Sequence, residues 1–249
     1  MGAHREDLGR EAGVNTPMTA TLNLLCAGAA QGLVKALQGR FTQDTGAAVQ
    51  ARFGAVGAMK EALLAGEPCD VMIVTAAMID SLVGQGRLRA EGRADLGRVR
   101  TGIAVKSGTP PPDVASAAGL KAALLASRGV YFPDPQRATA GIHFANVLRQ
   151  LGIHEQMEPR FRTYPAGAIA MRELAASPES QLIGCTQATE IKYTEGVDFV
   201  GMLPSEFELA TVYTAALASG TPQPGLAQTF IALLAGADAR ALREAGGFE

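Results

Sequence analysis

The chain is expected to fold as an α/β protein in two lobes, each lobe a mixed, mostly parallel sheet flanked by helices, with a ligand cleft between them. Three observations lead there. Apolar strand-like runs alternate with helix-period segments twice over, first across residues 22–85 and again across 120–176, the βαβ pattern of a sheet covered by helices. Glycine-rich loops follow the early strands, at the sheet edge where open α/β folds bind ligands. Two long strand-like stretches, near residues 100 and 210, join the two series and suggest crossings between lobes that close by hinge motion.

Leu22–Ala27 (LNLLCA) has the length and apolarity of a short buried strand. Gly28-Ala29-Ala30-Gln31-Gly32 follows, and then a helix with Leu33, Val34, Leu37 and Phe41 on one face and Gly46 placed to cap its C-terminus. Val49–Phe53 alternates as a strand, Gly54-Ala55-Val56-Gly57 forms a second glycine loop, and Met59 and Leu63 open a second helix. Gly66-Glu67-Pro68 punctuates before a third strand, Asp70–Val74, and a third helix, Ala77–Gln85. Loops 28–32, 54–58 and 74–77 should then line one crevice. Arg98–Lys106 is the next strand, and Thr109–Asp113 a rigid proline turn. The second series has a helix near Leu120–Leu125, a strand near Gly129–Phe132, and a helix after Gly141 whose Phe144, Val147, Leu148 and Leu151 share a face. A helix over Ala168–Ala176, strands at Leu182–Cys185, Phe199–Gly201 and Leu209–Leu217, a helix through Leu226–Leu234 and a last helix at Ala237–Ala245 complete the chain. The expected division is a polar tail over residues 1–20, one lobe from 21–102 with 216–249, and a second from 103–215.

Composition narrows the function. Of 249 residues, 47% are hydrophobic and 18% charged, enough for a sizeable core. A net charge of −2 argues against nucleic acid as a partner. The 5% aromatic content without tryptophan disfavours stacking platforms for bases or sugars. Cys26, Cys69 and Cys185 are odd in number and widely spaced, which suggests neither a disulfide framework nor a metal site. Cys26 and Cys185 lie in apolar runs and are expected to be buried thiols. No stretch has the length and apolarity of a membrane span, so no membrane insertion is expected. The N-terminus as written lacks a signal-peptide pattern, which implies the cytoplasm, or the periplasm if a leader was removed or the start lies elsewhere, as at Met18. No P-loop, dinucleotide fingerprint or nucleophile–base pair is visible, and no cofactor is expected.

Six segments in this order carry a resemblance: LNLLCAGAAQGLVKAL, ARFGAVGAMKEALLAGEPCDVMIV, GIAVKSGTPPPDV, DPQRATAGIHFANVLRQLGI, IGCTQATEI and DFVGMLPSEFE. Over about residues 21–245 the chain resembles the substrate-binding proteins of ABC transporters, in the molybdate-binding branch of the type 2 periplasmic-binding-protein fold. The resemblance implies a monomer that holds a small anion between its lobes by helix N-termini and hydroxyl groups, and that delivers it to an ABC permease. It also brings a departure. The first-loop serine of the molybdate binders falls at Ala29, the serine-rich second loop at Ala55, Val56 and Gly57, and the late tyrosine near Gln187. Each lost hydrogen bond to a charged group weakens binding by about 1.5–3 kcal/mol. The loops AGA and FGAVG and the later Gln187-x-x-Glu190 are similar to a variant subgroup that includes aconitate isomerase. The alternative implied function is thus a cofactor-independent isomerase of an unsaturated tricarboxylate. A ligand sensor acting through another protein is a third.

Each candidate residue has a structural alternative. Gly28, Gly54 and Gly57 either allow tight turns and close backbone approach to a ligand or only make turns. Arg137, in the loop Gln136–Gly141 that opens a helix, is either the anion's partner or a solvated charge. Thr139 is placed to cap that helix, to donate to a ligand, or both. His143, in its first turn, is either a proton-transfer group or a packed side chain. Gln31 and Gln187 can each donate and accept toward a ligand. Glu190 reads first as a residue that caps or solvates its segment and second as a general base. Tyr164 either packs or reaches the cleft. Asp70 reads as structural.

Overall fold

The computed structural model describes residues 20–249. His4, Met18 and all but the last residue of the expected tail lie outside the described residues. In chain order the elements are β1 (Thr21–Ala27), α1 (Gln31–Thr45), β2 (Ala48–Gly54), α2 (Val56–Leu64), β3 (Val71–Thr75), α3 (Ala76–Gly84), β4 (Ala94–Lys106), α4 (Ala117–Ala126) and β5 (Gly129–Pro133). There follow α5 (Thr139–Gln150), α6 (His154–Met157), β6 (Phe161–Tyr164), α7 (Gly167–Ala176), β7 (Leu182–Gln187), α8 (Ala188–Tyr193), β8 (Val197–Met202), β9 (Ala210–Leu217), α9 (Pro224–Ala235) and α10 (Arg240–Gly246).

β1 pairs in parallel with both β2 and β3, as a βαβαβα series should. The second series repeats this, with β5 parallel to both β6 and β7. The strand order is β2-β1-β3-β9-β4-β7-β5-β6, with β8 added on β4. β4 is the joint. Its residues Ala94–Arg100 run antiparallel to β9, whereas Thr101–Ala104 run antiparallel to β7 and Gly102–Lys106 to β8.

The side chains divide accordingly. One core gathers residues 22–99 with 213–248, where Phe41 of α1 meets Phe230 of α9 edge-on at 4.9 Å. The other half builds its cores from residues 103–207, with Phe132 edge-on to Phe144 at 5.3 Å. This is the two-lobed α/β architecture that the alternating pattern predicts.

Local signals explain the element ends. Gly46 caps α1 at φ 74°, a left-handed conformation open to glycine, and its N–H bonds the Thr42 carbonyl. Asp70 is buried just before β3, accepting from the Asn23 N–H at 2.8 Å, the Thr221 hydroxyl at 2.6 Å and the Gln223 amide at 3.2 Å. It therefore ties β1, β3 and the segment after β9 together, the structural role its position suggests.

Some details differ from expectation. β4 starts at Ala94 rather than Arg98, because β9 reaches far enough to pair it. The last expected helix is a 3-10 turn at Ala237–Ala239 followed by α10. The residue capping α5 is Ala138, without a side-chain bond, and Thr139 is already inside the helix. Among the described residues no helix is long and apolar enough to cross a membrane.

Candidate functional site

A small pocket lies between the two halves. The first half contributes Ala27–Ala29, Gly54–Val56 and Tyr213, and the second Pro133, Ala138–Ala140, Gly167, Gln187 and Glu190. The third early loop, 74–77, does not line it. There Thr75 caps its own helix, accepting from the Met78 N–H at 3.3 Å.

Helix starts converge on this pocket. The 3-10 turn Gly28–Ala30 that leads into α1 and the first residues of α2, α5 and α7 all reach its wall. None of these starts carries a side-chain cap. Their small residues, Ala55, Ala138 and Gly167 among them, put no long side chain between these helix starts and a guest. Helix N-termini carry partial positive charge and unpaired donors. Among the described residues no Lys, Arg or His lines the wall. The pocket thus offers an anion dipoles and donors without a full countercharge.

The polar side chains come from α5, β7, α8 and β9. Glu190 is fully buried, and burial raises its carboxyl above the ordinary glutamate range. The Thr186 hydroxyl donating at 2.5 Å, the Ala168 N–H donating at 3.3 Å and the Gln187 N–H only partly oppose that rise. Tyr213 is buried too, and its hydroxyl faces Thr139 and Gln187; burial first, and the nearby Glu190 charge second, keep it protonated. Gln187 is 2% exposed. Its amide stands near that hydroxyl, yet neither Nε2 nor Oε1 meets a protein partner in hydrogen-bond geometry. Buried amides are almost always paired, and the Tyr213 hydroxyl is the nearest candidate partner for this one.

The remaining candidates stand elsewhere. Gln31 is buried in the first turn of α1, outside the pocket wall. Gly57 donates its N–H to the Arg137 carbonyl at 3.1 Å, a contact between halves in which a side chain at residue 57 would crowd the Arg137 backbone. The Arg137 guanidinium pairs with Glu61 of α2 at 2.7 Å, both half-exposed, and does not enter the pocket. Gly141 lets α5 rest against the carbonyls of Pro133 and Asp134. Tyr164 stacks on Tyr131 with centroids 6.0 Å apart. His143 bonds the Phe207 carbonyl through Nε2 at 2.7 Å. It points there because it lies one residue, about 100° of helix rotation, from the core-facing Phe144.

Tyr213 and Thr186 were not singled out from sequence. A lone tyrosine inside LATVYTAAL reads as core, and only the β3–β9–β4 pairing shows that its hydroxyl reaches the pocket. Cys26 and Cys185 are buried with thiols raised by burial, and burial pushes Cys69 up to about 12. Among the described residues no group of His, Cys, Asp or Glu is placed to hold a metal ion.

The fold and this pocket define the class. Residues 22–249 match the family model described as bacterial extracellular solute-binding protein, and the chain belongs to that family. Among curated proteins it is similar to an aconitate isomerase from Pseudomonas sp, 27% identical over 244 residues that cover 93% of this chain and 91% of that protein. Among solved structures it is similar to the periplasmic molybdate-binding protein of Azotobacter vinelandii, with a TM-score of 0.75 at 21% identity over 92% of this chain and 98% of that one. A sulfate-binding protein from Mycobacterium tuberculosis aligns with a TM-score of 0.70 at 17% identity, over 92% and 86% of the two chains. These likenesses establish the periplasmic-binding-protein fold that the six segments suggested.

Proposed function

We propose that this protein binds one small anion, a molybdate-type oxyanion or an organic carboxylate, in the pocket between its two lobes, with β9 belonging to the first lobe. Gln187 carries the assignment. A buried amide without a protein partner, set among uncapped helix starts, is a donor and acceptor reserved for a ligand. Gly28, Ala29, Ala55, Val56 and Thr139 join it as the wall. Arg137 and Gly57 serve the same end indirectly, by bridging the two halves beside the mouth. Family membership supports a working partnership with an ABC permease, outside the cytoplasm.

One observation favours the isomerase as a second reading: Glu190 and Tyr213 place a carboxyl whose proton affinity is raised by burial and a phenol at the same wall. A proton moved across an allylic position needs such a carrier, and the curated relative is an aconitate isomerase. Glu190, not His143, is then the proton-transfer group, since His143 is bonded away from the pocket.

A thermal-shift screen with molybdate, tungstate, sulfate, phosphate, citrate, and cis- and trans-aconitate tests both readings. A ligand at about 100 times its Kd stabilises the fold by roughly 2.7 kcal/mol. Stabilisation by one anion class is the expected result, and an aconitate assay then separates binding from turnover. No shift with any of them would remove the anion reading.

A further inference from the structure

Glu190 sits where the two halves of the molecule meet. Its helix belongs to the second half, as does Gly167, whose backbone faces Oε2. Gly28, from the first half, faces Oε1. A Cβ at either glycine would fall on the carboxyl. Both positions are therefore cut back so that the halves can meet around it.

Among the described residues no cation balances a charge there. β7 presents the Thr186 hydroxyl, α7 the Ala168 N–H, the turn before α1 only Gly28, and β9 the Tyr213 phenol. Tyr213 is the one titratable group among these. Lys192 on α8 and Arg172 and Glu173 on α7 are exposed.

We propose that the site captures its anion together with a proton on Glu190, so that the closed, loaded protein holds one proton more than the open, empty one. The inference rests on the anion-binding reading above and adds a condition to it. An ionised carboxylate beside a bound anion would repel it strongly at the effective dielectric of a protein site, and contact between the halves removes the water that would stabilise that charge. A neutral carboxyl has neither cost and adds an O–H donor to the N–H groups of the wall. The proton comes from solvent, and no bond to the ligand forms or breaks.

Isothermal titration of the wild-type protein counts the proton directly. The probes are sulfate, molybdate and trans-aconitate at about pH 7.5 and about pH 9, where their own groups stay deprotonated, each in two buffers of different ionisation enthalpy. Uptake approaching one proton is expected, with affinity falling about tenfold per pH unit wherever the free protein has lost the Glu190 proton and the complex keeps it. Glu190→Gln should bind with affinity flat in pH and take up none. Binding without proton uptake at both pH values overturns the proposal, as does an unchanged pH dependence in Glu190→Gln. If that variant does not fold, the wild-type proton count decides by itself. If none of the probes binds, the anion reading fails first and takes this inference with it.

Discussion

Replacing Gln187 with leucine should make the empty protein more stable and the loaded protein weaker. Leucine has nearly the volume of glutamine, so no large cavity opens. What disappears is a buried amide whose donor and acceptor lack protein partners. An unsatisfied buried polar group costs about 1–3 kcal/mol, and Gln187→Leu should recover that amount. For a chain of this size each kcal/mol raises Tm by about 2–4 °C. The ligand meanwhile loses a hydrogen bond to a charged group, worth about 1.5–3 kcal/mol, or about 10- to 150-fold in Kd. Urea unfolding without ligand and calorimetric titration with an anion from the screen give the two numbers. A variant less stable than wild type would show that the amide is satisfied by the Tyr213 hydroxyl and serves the fold. Unchanged affinity would place the ligand elsewhere. Either result refutes the reasoning.

Gly167→Ala should cost about 1–3 kcal/mol of stability, because the new methyl falls on the Glu190 carboxyl and the Thr186 hydroxyl, and it should weaken ligand binding in the same titration. His143→Ala should lose only the bond to the Phe207 carbonyl, about 0.5–1.5 kcal/mol, with Kd changed less than about twofold; a larger change in Kd, or lost turnover, would return His143 to the site. Stability should also depend on pH through Glu190. Its folded value is raised, so above the unfolded glutamate range, near about 4.3, the folded state binds more protons. Stability is therefore lost as pH rises from there to the folded value, by at most about 1.4 kcal/mol per pH unit. Urea midpoints against pH should show that slope, and Glu190→Gln should flatten it.

The frame was legible in the sequence wherever apolar spacing and glycine punctuation agree. β3 and β5 are short apolar runs and β1 is one apart from Thr21 and Asn23, α1 shows its inward face and its Gly46 stop, and α5 shows Phe144, Val147 and Leu148 in register. β6, with the sequence FRTY and little burial, has no such signal and forms because β5 supplies a parallel partner. The site was legible as loops and not as side chains. The wall at Gly28, Ala55 and Thr139 follows from where βα loops must fall. Glu190 was visible only as a residue one turn past Gln187, and its burial depends on Gly28 and Gly167, far away along the chain. Arg137 looked like an anion partner from its place in the loop before α5; its guanidinium instead pairs with Glu61, on an element of the other half.

The long strand β4 and its partner β9 also set an order of events during synthesis. The second half is built from one continuous stretch, residues 103–207, so its cores are complete once that stretch has emerged. The first half starts at β1 but lacks Tyr213, Phe230, Ile231 and Leu234 until the last elements are made. Its three parallel strands must wait, with the β3 edge open, for β9 to pair. An unpaired strand edge on an apolar sheet is prone to pairing with other chains. The part of the molecule made first is therefore finished last, and a chain interrupted after β8 would carry a folded second half behind an unprotected first one.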